Sequence, residues 1–117
     1  MNLEEIPEEN KNGDCYMNAV KAVIHANGGD ELRLVHGIVT GQGILAGIRF
    51  GHAWVEYNLD EPGDEMVFDP SVEGRELWIR RDQYYSIGQI RESEVKRYTQ
   101  SDTVEALLKN EHWGPWE

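Results

Sequence analysis

The chain has 117 residues, with one cysteine and four histidines. A cysteine acts as a nucleophile when a neighbouring base takes its proton and a third group holds that base in place. Cys15, His52 and Asp69 have the types and surroundings for these three roles: nucleophile, general base and later acid, and orienter. Cys15 falls in the first turn of a predicted helix, where the helix dipole favours a negative charge and hence a thiolate. Its backbone N–H, free in that turn, is a natural oxyanion donor. For a second donor the sequence leaves Asn10, Asn12, Gln42 in a glycine turn, and the indole of Trp54.

His52 and Asp69 fall on two predicted strands joined by the turn formers Asn58-Leu59-Asp60-Glu61-Pro62-Gly63-Asp64. Placing His52 opposite Asp69 sets Trp54 opposite Val67 and Glu56 opposite Glu65. The other face then pairs Ala53 with Phe68 and Val55 with Met66, a continuous apolar surface. The register that gives this core therefore also sets the imidazole beside the carboxylate, which would fix the ring's tautomer and stabilise its protonated form. Glu56 and Glu65 are expected near the solvent end of this hairpin. A helix laid on the His52 face would complete the trio with Cys15. Each of the three residues alone has an ordinary structural role; their order and facing register argue for catalysis.

The elements that must position these residues follow from hydrophobic period and end signals. Cys15, Ala19, Ala22, Val23 and Ala26 fall at helical spacing, which predicts a helix over 14–27 begun by Gly13-Asp14 and stopped by Asn27-Gly28-Gly29. Strands are predicted over 32–39, 48–57, 65–69 and 76–79, and again over 89–99. Residues 81–85 suit another strand or a short helix. Ser101 and Glu105 lie near capping positions of a last helix with a stripe of Val104, Leu107, Leu108 and His112. Trp113-Gly114-Pro115-Trp116 ends that helix and should pack back on the body. Residues 1–12 are polar and read as an irregular lead-in to a single domain over 1–117. The resulting fold class is α+β, an N-terminal helix carrying Cys15 packed on an antiparallel sheet, with a C-terminal helix. Met17 and Trp78 read as core, and Tyr84, Tyr85 and the tryptophan tail as packing.

Composition narrows the function. Acidic residues outnumber basic ones by 22 to 11, a net charge of −11, and this argues against nucleic acid and anionic membrane as partners. The densest basic stretch, Arg75, Arg80 and Arg81, is diluted by Glu73, Glu76 and Asp82. No apolar run approaches the roughly 20 residues of a membrane span. The first residues carry no basic and apolar leader pattern, and a lone cysteine suits a reducing compartment, so a cytoplasmic location is expected. Cys15, His25, His36, His52 and His112 contain no pair at zinc-motif spacing, and Gly41-Gln42-Gly43 is no phosphate cradle, so no metal and no cofactor are expected.

The segment Gly13-Asp14-Cys15-Tyr16-Met17-Asn18-Ala19 resembles the cysteine segment of papain-like and transglutaminase-like cysteine enzymes. Gly51-His52-Ala53-Trp54-Val55-Glu56, followed by Val67-Phe68-Asp69-Pro70-Ser71, resembles the histidine and aspartate strands of the transglutaminase-like pattern, in the same chain order. The resemblance spans residues 13–71 and stops there, since no family motif is matched beyond Ser71. It implies a helix on an antiparallel sheet and cofactor-free thiol chemistry on amides: peptide hydrolysis, deamidation or transamidation of a peptide or protein substrate. It assigns nucleophile to Cys15, base to His52 and orienter to Asp69. The chain is small for this group, similar in size to compact bacterial and phage versions. An alternative on the same scaffold is a non-catalytic acidic protein that binds or inhibits another protein, with the three residues idle.

Overall fold

The structure, a computed structural model, describes residues 14–26, 31–41, 46–57, 61–70 and 78–116. The expected lead-in, the glycine stop after the first helix and the oxyanion candidates Asn10, Asn12 and Gln42 lie outside these residues. The chain runs α1 (Asp14–Ile24), β1 (Leu32–Thr40), β2 (Arg49–Tyr57), β3 (Met66–Phe68), β4 (Trp78–Arg80), α2 (Arg81–Gly88), a 3-10 turn (Glu92–Glu94), β5 (Lys96–Tyr98) and α3 (Gln100–Asn110). This is an α+β architecture. The five strands form an antiparallel sheet in the order β4-β3-β2-β1-β5. The first four strands are sequential neighbours, and β5 returns to the far side of β1.

Strand alternation divides the sheet into two faces. Leu34, Ala53 and Val55 meet Tyr16, Ala19, Val20 and Val23 of α1, Leu107 of α3, and Trp113 and Trp116. On the other face Val35, Val39, Trp54 and Val67 pack with Ile90, Val95 and Tyr84 and Tyr85 of α2. The sheet thus lies between α1 with α3 on one side and α2 on the other. Gly37 sits opposite His52 in the β1–β2 ladder. Its missing side chain makes room for the Trp54 indole, which comes within 2.6 Å of where a Cβ would stand.

Several expectations shift at the ends of elements. The first helix stops at Ile24, and residues 81–88 are helical. The long strand expected over 89–99 is broken by the 3-10 turn, leaving three residues to pair with β1. Thr99, not Ser101, caps α3: its side chain accepts from the Asp102 N–H at 3.0 Å, and Asp102 returns a contact to the Thr99 N–H. The buried stripe of α3 is Thr103 and Leu107, while Val104, Leu108 and His112 are exposed. Trp78 is also exposed, at 47%, and stacks on Phe68 across the β3–β4 ladder. It is therefore not part of the core. Met17 and the tail tryptophans are buried as expected.

His36 occupies the α1 face of β1 inside a box of aromatic rings, Tyr16, Tyr98 and Trp116, each about 5 Å away. Neither of its ring nitrogens has a hydrogen-bond partner. Burial, reinforced by the Lys96 ammonium, pushes this histidine down to about 4, so it is neutral at physiological pH.

Candidate active site

The β2–β3 hairpin holds His52 and Asp69, the candidate base and its candidate orienter. Val55 pairs with Phe68, Glu56 with Val67 and Tyr57 with Met66. This is two residues away from the register expected from the sequence. Carried one step further, it sets Asp69 level with Trp54, so His52 and Asp69 are diagonal neighbours on one face instead of direct partners. A slip of two preserves every side chain's face, and the diagonal is within reach of an imidazole. His52 Nε2 lies 2.8 Å from Asp69 Oδ2, with both side chains about nine-tenths buried. The N–H at Nε2 donates to the carboxylate, which leaves Nδ1 for the nucleophile.

Cys15, the candidate nucleophile, comes from a helix on the face of the sheet opposite to the one expected. Helix α1 packs on the face opposite Trp54, not on the His52 face. Its first turn approaches β2 at Gly51, the residue before His52. The Tyr16 hydroxyl reaches within 2.5 Å of the position a Gly51 Cβ would take. Next along the helix, the half-buried Cys15 side chain is close enough to act on the His52 ring. The Cys15 N–H stays in the first turn, without an intrahelical acceptor.

The electrostatics follow from these contacts. Burial opposes a charge on His52, but the hydrogen bond to Asp69, the interaction with Cys15 and the negative charge those groups can carry outweigh it and push the ring up to about 9. Burial, together with the charge available at Cys15, pushes Tyr16 up to about 12.

Two features were not anticipated. Tyr84 of α2 donates its hydroxyl to Asp69 Oδ2 at 2.6 Å, the same oxygen that meets His52. Burial and the Asp69 carboxylate hold this phenol protonated well above its usual range. Its neighbour Tyr85 donates to Glu56. The doublet Tyr84-Tyr85 was visible in the sequence, but its role depends on α2 lying over Asp69 and Glu56.

Glu56 is the second surprise. It was expected near solvent and facing Glu65; it is fully buried and faces Val67. Its carboxylate accepts from Trp54 Nε1 at 2.9 Å, from Arg97 Nε at 2.9 Å and from Tyr85. Arg81 adds charge at 4.0 Å. A buried carboxylate is tolerated where it is paired and multiply hydrogen-bonded in this way. The Trp54 indole N–H is consequently committed to Glu56 and is not an oxyanion donor. Trp54 instead lies beneath the base, its ring 6.1 Å from that of His52 at a 29° interplanar angle.

His25 and His112 are exposed and His36 belongs to the aromatic box, so none joins this cluster. Among the described residues no group of three or more histidine, cysteine or acidic side chains could hold a metal ion. No helix among them is long and apolar enough to cross a membrane. In comparisons with known proteins, no family model, no curated protein and no solved structure matches the chain.

Proposed function

We propose that this protein is a cysteine-dependent amide hydrolase or acyltransferase on a papain-like or transglutaminase-like scaffold. The observation that supports the reading is the 2.8 Å contact between His52 and Asp69, with Cys15 acting on the same ring from the first turn of a helix. In the reaction the Cys15 thiol gives its proton to His52, and the thiolate sulfur bonds to the carbonyl carbon of an amide. The negative charge moves to the carbonyl oxygen, where the Cys15 N–H stabilises it. The C–N bond then breaks, its electron pair stays on nitrogen, and the His52 imidazolium supplies the proton that releases the amine. A thioester remains on Cys15. His52, neutral again, takes a proton from the incoming water or amine as its oxygen or nitrogen attacks. The thioester C–S bond breaks, and His52 returns the proton to sulfur. Asp69 keeps Nε2–H pointed inward and stabilises the imidazolium in both halves. Acid release and amide transfer differ only in whether water or an amine accepts the acyl group.

The experiment is alkylation of Cys15 by iodoacetamide near pH 7. Cys15 should react roughly tenfold or more faster than a free thiol, and His52→Ala should remove that advantage. A wild-type rate equal to that of glutathione would overturn the reading and leave the idle-scaffold alternative.

A further inference from the structure

We propose that Tyr84 is a positioning residue of this site: by sharing one Asp69 oxygen with His52, it fixes the carboxylate's rotation and tempers the carboxylate's hold on the ring's proton. The inference rests on the catalytic reading for its purpose, but not for its geometry.

An aspartate carboxylate rotates broadly about its last torsion and presents two oxygens. Here the His52 ring and the Tyr84 hydroxyl converge on Oδ2. Two donors on one oxygen leave little freedom to turn. The Tyr84 ring also lies 5.4 Å from that of Trp54, and Trp54 stacks on His52. The four side chains therefore close a loop, His52 to Asp69 to Tyr84 to Trp54 and back, and each is held from two sides.

The chemistry of the donor matters as much as its place. Burial and the Asp69 charge keep the phenol neutral. It therefore satisfies the carboxylate without adding a competing cation, and it takes up part of the negative charge that would otherwise bear on His52. The base in this mechanism must both hold a proton and release it. With the Asp69 charge undiluted by the Tyr84 hydroxyl, it would hold the proton more firmly. Among the described residues, the titratable groups that act on the ring include Asp69, Cys15 and, through Asp69, Tyr84. The flanking Phe50 and Trp54 are uncharged.

The test is an NMR titration of the His52 ring in the wild type and in Tyr84→Phe, which keeps the packing against Trp54. The midpoint should rise by roughly half a unit or more in the variant. An unchanged or lowered midpoint would overturn the proposal, because a tyrosine that only packs has no reason to move it upward. If Tyr84→Phe fails to fold, the wild type suffices: the Tyr84 hydroxyl proton should appear as a slowly exchanging downfield resonance with a cross-peak to His52 Nε2–H. Absence of that resonance would overturn the proposal as well. A raised midpoint alongside an unreactive Cys15 would sink the catalytic reading alone; a reactive Cys15 with no rise would sink the role of Tyr84 alone.

Discussion

The His52 ring and the Asp69 carboxylate meet at 2.8 Å although the ladder sets Asp69 level with Trp54. This diagonal contact is a main force raising the His52 ring against the cost of burial. Asp69→Asn should therefore lower the ring's titration midpoint from about 9 toward or below the ordinary 6.5, as read by NMR. The sign of the stability effect follows. A ring more basic in the folded state stabilises the fold fully below 6.5, and that contribution disappears as pH rises through about 9. The gap in urea stability between wild type and Asp69→Asn should be widest below pH 6.5 and narrow as pH rises through about 9.

Gly51 offers a test of how the nucleophile is delivered. A methyl group there would stand 2.5 Å from the Tyr16 hydroxyl and push the first turn of α1 away from β2. Gly51→Ala should cut the Cys15 alkylation rate near pH 7 roughly tenfold. A variant that folds and alkylates at the wild-type rate would mean that the helix mouth is placed by other contacts.

How much of this was visible in the sequence depends on what each signal can resolve. Alternation along β2 and β3 gave the right faces, because Ala53 and Val55 must be buried together and His52 falls on the other side. The same period of two cannot tell a register from one shifted by two, so the Glu56–Glu65 pairing was wrong while the His52–Asp69 neighbourhood survived. The side of the sheet taken by α1 was not legible either. Both faces of β2 carry large apolar residues, and the tyrosines that claim the Trp54 face for α2 lie in a segment with no clear apolar stripe. Trp78 was assigned to the core on residue type alone, and its place on the short β4 strand leaves it exposed.

Glu56 makes a prediction about stability. Its carboxylate is fully buried and paired with Arg97, so Arg97→Ala would leave it with the more distant Arg81 as its nearest cation. Breaking a buried pair in this way costs about 3–5 kcal/mol, enough to unfold a marginal domain. Urea denaturation of Arg97→Ala and of the double variant Arg97→Met with Glu56→Gln checks the cause. The double variant should recover a large part of the loss, because no unpaired charge remains.

His36 works against the fold in acid. Its ring is pushed down to about 4 in the fold, against 6.5 when exposed, so protonation favours unfolding progressively as pH falls below 6.5. His36→Phe keeps a ring in the aromatic box and removes the titration. Relative to its effect at neutral pH, the substitution should add about 2 kcal/mol of stability near pH 5. Thermal or urea melts at the two pH values measure this difference. An identical acid dependence in both proteins would place the titration elsewhere.

The carboxylate of Glu56 is held at once by Trp54 of β2, Tyr85 of α2 and Arg97 of β5. Withdrawing any one of these segments would strand a charge in a dry interior, so they have little freedom to breathe separately. Their backbone amides should exchange with deuterium as one cooperative block, at the pace of complete unfolding, while the solvent-facing side of α3 exchanges earlier. His52, two residues before Trp54 on β2, therefore stands on ground that moves only when the whole fold does.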